Sequence, residues 1–398
     1  MDGTKKEAVI VGGSLSGLMN AIVLRREGYK VQVLERSHPS KLISEAAGLG
    51  VGPNVHTFME TYVKRPDDYG IVLTDIEIWD ENAQLSAKVP LPYTMRMTNW
   101  RTMYDMLKNA LLDDDPDLAA AVYKTHVEVT DVREENAGVS VSYRDLGTGS
   151  EGVLRADLVI AADGANSSIR RKVWQPESPA YAGYSLWRGR ISDQLVSEET
   201  KEALQGKTVI QKLRNGYMLS YFVPAELTEG KQDPRHRFDL FWAFYDILAE
   251  DSPRFQQTMT DTDGKLHRNA IPSGKIQPQV WQEASSRVKE QACWFYAELM
   301  DKSHQLYVSA IRDFPNTKAV FCDGKVILAG DAMSQCRPHA GGATNEHAFQ
   351  AMELAKVLRG ESTLEEWEKL CLDSAAKARA LAIATGKRFL PEGAIADS

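Results

Sequence analysis

Three apolar runs along the chain do not alternate with polar residues. They cover residues 8–11, 158–161 and 326–329. Strands that are apolar on both faces suit a parallel sheet covered on both sides. After the first run, Leu15, Leu18, Met19 and Ile22 fall on one side of a helix. After the third, Ala348, Ala351, Leu354, Ala355 and Leu358 do the same. A further strand at residues 31–34 ends at Glu35. The pattern predicts an α/β unit built on a buried parallel sheet.

Between residues 177 and 305 the pattern changes. Residues 217–224 and 237–245 are aromatic-rich and strand-like, and residues 228–234 form a polar turn between them. Their weak alternation suits a sheet that is itself covered. Residues 261–264 and 271–274 read as loops. A helix is expected over residues 279–300, with Val280, Val288, Cys293, Phe295 and Leu299 apolar. We therefore expect an α/β fold, α+β overall. A Rossmann-like domain would span residues 1–73, 99–176 and 305–398. A mixed or antiparallel sheet domain, residues 74–98 and 177–304, would be inserted into it. With 398 residues, 43% of them apolar, two domains are the natural division.

Charge and cysteines narrow the classes. Lys and Arg number 47 against 55 Asp and Glu, a net charge of -8 without a basic block. That argues against nucleic acid or an anionic membrane as partner. Cys293, Cys322, Cys336 and Cys371 lie far apart without CxxC spacing, as expected of reduced thiols in a cytoplasmic protein. The polar start has no signal-peptide core, and no window approaches the roughly 18 apolar residues of a membrane helix. The acidic run at residues 113–117 reads as a solvated loop. His56, Glu60, His304 and His347 form no metal constellation, so no metal is expected. His236, between Arg235 and Arg237, reads as solvated. Neither a G-x-S-x-G nor a P-loop is present, which weakens hydrolase and kinase readings.

The chemistry begins at the strand ends. Strand, Gly-rich turn, helix, strand and terminal acid form the order of a dinucleotide-binding unit. Gly12 permits the tight turn and Gly17 a close helix–strand approach. Gly13, Ser14, Leu15 and Ser16 complete the turn, with Ser14 where the motif has its middle glycine. The helix start offers N–H groups and partial positive charge to a pyrophosphate. Glu35, followed by Arg36, can accept from a ribose diol and disfavours a 2′-phosphate. The second run ends at Asp163 and Gly164, ahead of a helix carrying Arg170 and Arg171. The third ends at Gly330 and Asp331, and a loop from Pro338 through Gly341, Gly342, Ala343 and Asn345 opens the long helix.

Together these motifs resemble the class A FAD-dependent aromatic monooxygenases, the group of para-hydroxybenzoate hydroxylase. The resemblance spans residues 8 to about 358. It implies that the first motif holds the ADP half of FAD. Asp163 and Gly164 would serve FAD and NADPH, and Gly330 and Asp331 the ribityl end. The stretch containing Gly50 resembles the family's segment near the flavin ring, and Arg101 the helix start that meets FAD. Residues 12–18, Tyr181 to Tyr184, Trp187 to Gly189 and Arg337 to Ala340 resemble the branch that contains 2,6-dihydroxypyridine 3-hydroxylase. Three departures stand out: Gly341-Gly342-Ala343-Thr344-Asn345 for the family's Gly-Gln-Gly-x-Asn, Gln350 for a helix Asp, and Ser334 for a His.

The resemblance implies a reaction. NADPH (or NADH) reduces FAD, O2 adds to give a flavin hydroperoxide, and an electron-rich ring such as a hydroxypyridine or phenol takes one oxygen. Such a site needs dryness, donors toward developing charge, and a base or acceptor. The loop at residues 338–345 is expected to offer N–H groups to the flavin. His339 reads either as a substrate-side group or as an exposed loop residue. Tyr217 and Tyr221 share a strand face and read either as substrate partners or as packed core. Arg101 is either a cofactor contact or a solvated helix residue. Trp187 and Arg188 either line the site or form a domain-interface cation–π pair. Alternatives are epoxidation or Baeyer–Villiger chemistry on a fused aromatic or indole, a halogenase (whose Trp-x-Trp-x-Ile-Pro segment is absent), a dehydrogenase without flavin, and a non-catalytic binding protein. A homodimer is the default oligomeric state.

Overall fold

The computed structural model describes residues 6–40, 48–63, 69–91, 93–136, 138–174, 179–225 and 237–393. The expected turn at residues 228–234 and His236 lie outside the described residues.

The first layer grows from the non-alternating runs. Strand β1 (Glu7–Val11) leads into helix α1 (Leu15–Arg26) and then β2 (Lys30–Glu35). Helix α2 (Trp100–Leu111) starts where the Asn99 side chain accepts from the Thr102 amide at 2.7 Å. Strand β3 (Leu158–Ala161) ends before the short helix α3 (Ser168–Val173). Strand β4 (Val326–Leu328) precedes the two long helices α4 (Ala343–Leu358) and α5 (Leu364–Phe389). In the six-stranded sheet, β4, β3, β1 and β2 are parallel neighbours in that order. Their C-terminal ends therefore open on one edge, where ligands of such sheets bind. Residues Leu15 to Arg25 are all buried, because α1 is clasped between the sheet, α2 and α4. That enclosure, wider than the single apolar side read from spacing, is why its polar positions are few.

The second layer is a seven-stranded sheet that includes Ala180–Ser192, Lys207–Leu213, Gly216–Pro224, Phe238–Ile247 and Gln305–Asp313, with Asp75–Trp79 and Leu85–Pro90 at one edge. It is mostly antiparallel, with one parallel pairing between Asp75–Trp79 and Lys207–Leu213. Its two faces bury separate cores. Tyr184, Tyr217, Tyr221, Phe241 and Tyr245 lie on one, and Trp187, Met218, Phe222, Trp242 and Phe244 on the other. A sheet buried on both faces has no reason to alternate apolar with polar, which accounts for the aromatic-rich runs. Gln305–Asp313, grouped above with the first domain, pairs with Ala180–Ser192 in this sheet.

The expected helix at 279–300 is two helices, Pro278–Lys289 and Trp294–Lys302. The break is held from outside it. The Gln211 side chain accepts from the Cys293 amide at 2.8 Å, and Gln291 accepts from the Arg214 amide at 2.8 Å. No helix among the described residues is long and apolar enough to cross a membrane, and none of their His, Cys, Asp and Glu groups is arranged to hold a metal ion. All four cysteines are free.

Candidate functional site

The turn after β1 is fixed on every side. Gly12 N–H donates to Leu34 at 2.9 Å and Gly13 N–H to the Glu35 carboxylate at 2.8 Å. The other Glu35 oxygen accepts from Ser37 N–H at 2.7 Å. Tyr123 donates to the Gly13 carbonyl at 2.8 Å, and the Trp100 indole to the Ser14 hydroxyl at 3.1 Å. Glycine is required twice here. A Cβ on Gly12 would lie 2.4 Å from the Ala162 carbonyl oxygen, and one on Gly17 would lie 2.0 Å from the Gly12 carbonyl oxygen. Glu35 is buried and braces the turn, yet each carboxylate oxygen keeps a second lone pair for a diol.

The three strand ends converge. Gly12 abuts Ala162 and Asp163, and a Cβ on Gly330 would fall 2.6 Å from Ser16. Asp163 caps α3, accepting from the Ser168 amide at 2.7 Å and the Ile169 amide at 3.2 Å, while its other oxygen is buried without a partner. Gly164 adopts φ +80°, which favours glycine. Asp331 is partly exposed and lies 3.4 Å from His347. Arg170 ties two of these ends together. It is buried, donates to the carbonyls of Ala165 at 2.6 Å and Ala332 at 2.8 Å, and lies 4.4 Å over the Phe314 ring. Burial lowers its pKa. In the sequence this Arg is marked only by its place on the helix after Gly164, because its acceptors Ala165 and Ala332 are backbone carbonyls.

Gln350 also has a structural task. Its side-chain oxygen accepts from Gly330 N–H at 2.8 Å in a buried position. The departure from Asp therefore keeps an acceptor and removes a charge. Ser334, where the family pattern has a His, donates its amide to the Gly330 carbonyl at 3.0 Å.

The loop before α4 begins with the short turn Pro338–Ala340, passes Gly341 at φ +61°, and enters the helix at Ala343 behind Gly342. The strand Gly48–Val51 runs alongside: a Cβ on Gly50 would approach the Gly341 carbonyl oxygen at 3.7 Å. Asn345 accepts from the amides of Asn54 at 2.9 Å and Val55 at 3.4 Å, so it caps the helix Pro53–Phe58. Arg101 pairs with Asp105 along α2, and the largely exposed Arg36 lies 3.9 Å from Glu128.

His339 is buried, not an exposed loop residue. Its Nδ1 lies 2.7 Å from the Tyr217 hydroxyl, and its ring sits 4.9 Å from both Tyr184 and Tyr245. Burial, with Arg337 nearby, pulls its pKa down to about 3. Burial pushes the Tyr217 hydroxyl well up, so Tyr217 keeps its proton beside a neutral imidazole. The His339 Nε2 faces Gly386 of α5, where a Cβ would come within 2.6 Å. Tyr221 stacks on Phe241 at 5.0 Å, with its hydroxyl against Gly48. All three are packed residues here.

Two cavities flank the loop. One of about 270 Å³ touches Gly50, Gly341, Gly342, Asn345 and Lys377. The other, of about 530 Å³, lies between the layers and is lined by Asn166, Leu186, Arg188, Asp331, Gln335 and Pro338. Neither is lined by His339, Tyr217 or Tyr221. Adjacent strand residues point oppositely. Arg188 thus reaches the larger cavity while Trp187 is buried in the outer core, so the two do not form a cation–π pair.

The FAD binding domain family matches residues 5–186, and the FAD binding domain-like family residues 181–313. The chain is 28% identical over 377 residues to 2,6-dihydroxypyridine 3-monooxygenase of Paenarthrobacter nicotinovorans, covering 92% of this chain and 87% of that one. The solved structure of 2,6-dihydroxypyridine-3-hydroxylase from Arthrobacter nicotinovorans superposes with a TM-score of 0.82 at 24% identity, covering 99% of this chain and 97% of the other. CtdE in complex with FAD and substrate 4 gives a TM-score of 0.73 at 16% identity, over 96% and 88% of the two chains. These superpositions establish the fold.

Proposed function

For a chain that belongs to the class A FAD-dependent aromatic monooxygenases, we propose insertion of one O2-derived oxygen into an electron-rich heteroaromatic ring, a hydroxypyridine or related phenol, with NADPH (or NADH) as reductant. One observation carries this reading: the ends of β1, β3 and β4 meet, and residues just beyond β3 and β4 line a cavity walled by the second sheet.

The residues present fit FAD. Gly12, Gly13, Ser14, Leu15, Ser16 and Gly17 would take the pyrophosphate on the free amides of α1, and Glu35 the adenosine ribose. Asp163, Gly164, Gly330 and Asp331 would face the ribityl chain. Gly50, Gly341, Gly342 and Ala343 would border the flavin ring. Bound there, FAD supplies hydride acceptance and activation of O2.

The chain supplies the rest. Amides at the start of α4 would donate toward the negative charge that develops on a flavin ring bound beside them. The aromatic face of Tyr184, Tyr217, Tyr221 and Tyr245 keeps water from the interior. Neutral His339, held by Tyr217, fixes the loop beneath Pro338. Asn166, Arg188 and Gln335 offer polar contacts in the larger cavity, where Leu186 and Ile311 give a ring its apolar wall. The 28% identity to a dihydroxypyridine monooxygenase over most of both chains favours a hydroxypyridine.

A panel of hydroxypyridines, phenols and indoles tests the proposal. NADPH oxidation is followed with mass analysis of products. We expect a hydroxypyridine to stimulate oxidation and gain one oxygen atom. Stimulation by indoles alone, or stimulation without oxygen gain by any ring, overturns the assignment.

A further inference from the structure

Ser14 stands at the N-cap of α1 but does not cap it. A serine there ordinarily turns its hydroxyl oxygen onto an amide of the first helical turn. Here no such hydrogen bond forms. Instead the Ser14 hydroxyl oxygen accepts from the Trp100 indole at 3.1 Å. Trp100 is held by its own helix face. Its ring stacks on Tyr104 at 4.7 Å and 16°, Tyr104 donates to Tyr123 at 3.2 Å, and Tyr123 donates to the Gly13 carbonyl at 2.8 Å. Lys108 lies 4.8 Å over the Tyr123 ring. Trp100, Tyr104 and Lys108 are four apart, so α2 presents one continuous stripe to the turn.

We propose that Trp100 is a cofactor-positioning residue: its indole draws the Ser14 hydroxyl away from α1 and so leaves the first-turn amides open to the FAD pyrophosphate. Those amides are the donors an anion requires at a helix start. A Ser in place of the motif's glycine brings a competitor for them, because its oxygen can satisfy the Ser16 or Gly17 amide. The indole removes the competitor. With its oxygen accepting from Trp100, the Ser14 hydroxyl still has its own proton to donate. This explains how a chain that departs from the three-glycine motif keeps a working turn. The inference rests on FAD occupying that turn.

The test uses the full-length chain stripped of cofactor and titrated with FAD, following quenching of flavin fluorescence. The Trp100→Phe variant keeps an aromatic ring against Tyr104 and removes the indole N–H, along with part of the stacked area. With a cap regained in the free chain, FAD binding should weaken about fivefold, the equivalent of a cap worth about 1 kcal/mol. Ser14→Ala alone measures what the hydroxyl itself contributes to FAD binding and sets the baseline. In that background Trp100→Phe should cause no further loss, so the double variant Trp100→Phe/Ser14→Ala should bind FAD as Ser14→Ala does, because no hydroxyl remains to compete. Thermal unfolding of the stripped Trp100→Phe chain should stay level or rise, whereas a merely structural Trp would lower it.

Two results overturn the proposal. One is a Trp100→Phe variant that binds FAD as the parent does. The other is a double variant about fivefold weaker than Ser14→Ala alone, which would assign the loss to packing. Failure of the unmodified chain to take up any FAD would remove the cofactor assignment itself, and the role of Trp100 with it.

Discussion

Substituting Gly330 by Ala would test the convergence of the strand ends directly. Gly330 has φ +62°, and its added Cβ would stand 2.6 Å from both Cβ and Oγ of Ser16. A left-handed backbone costs an L-residue about 1–2 kcal/mol. Overpacking costs about 1–3 kcal/mol more when the neighbour cannot retreat, for a total of roughly 2–5 kcal/mol. Ser16 cannot retreat easily: it sits in the buried first turn of α1, which is enclosed on several sides. Against a domain stability of about 5–15 kcal/mol, such a loss is large. Urea unfolding of the cofactor-free chain measures it, provided the slope stays constant. The steric part should vanish in Gly330→Ala/Ser16→Gly once the single Ser16→Gly effect is subtracted, leaving about 1–2 kcal/mol of backbone cost. A Gly330→Ala chain within about 0.5 kcal/mol of the parent would refute the argument. So would a Ser16→Gly change that brings no relief, since the turn and the third strand end would then not touch.

Other perturbations probe the same neighbourhood. Gln350→Leu strands the buried Gly330 amide and should cost about 1–3 kcal/mol in urea unfolding; no loss would mean the amide finds another acceptor. Asp313 is buried between Arg337 at 2.8 Å and Arg379 at 3.1 Å. Asp313→Asn should therefore destabilise by about 3–5 kcal/mol, since two arginines would lose the buried carboxylate charge they share. The His339 pKa is about 3 in the fold and higher when unfolded, so the unfolded state binds the extra proton. Stability from this group is complete above the unfolded value near 6.5 and drains away as pH falls toward 3, at about 1.4 kcal/mol per pH unit. The stability difference between parent and His339→Gln, measured by urea unfolding at pH 7, 6 and 5, should shrink by that slope, and a constant difference would contradict a neutral buried imidazole.

What could be read in advance was local. The turn at residues 12–17, the acid at Glu35 and the glycine-marked strand ends announce themselves because their chemistry lies within one loop and its flanking elements. The partners across the fold do not. Tyr217 and His339 meet although 122 residues separate them. Either one alone reads equally well as a catalytic group or as core. Asn345 looks like a flavin contact by position, yet it spends its carbonyl on the helix Pro53–Phe58. Gln350 marks a departure from the family pattern, but only the Gly330 amide shows which property was kept. The break between Pro278–Lys289 and Trp294–Lys302 has no helix-breaking residue to signal it, because Gln211 supplies the constraint from a strand 82 residues away.

The same distinction bears on substrate choice. The cofactor turn is built from backbone and glycine, so it is compatible with any ring. The larger cavity takes its walls from five separate stretches of chain: residues 165–166, 179–188, 269–270, 309–312 and 331–338. It joins apolar Leu186, Ala310 and Ile311 to the donors Asn166, Asn269, Arg188 and Arg312. Asn269 already donates to Asn166 at 3.2 Å and Arg312 pairs with Glu250, so an unsubstituted hydrocarbon would desolvate this polar wall without adding a hydrogen bond to it. A small planar ring bearing oxygen or nitrogen at its edge satisfies both surfaces at once. Discrimination between rings then follows from buried polar groups, which reject analogues lacking a partner far more strongly than apolar walls reject a change in size. Under the proposed function, regiochemistry is set by which edge of the heterocycle meets Arg188 and Gln335, not by the three strand ends that hold FAD.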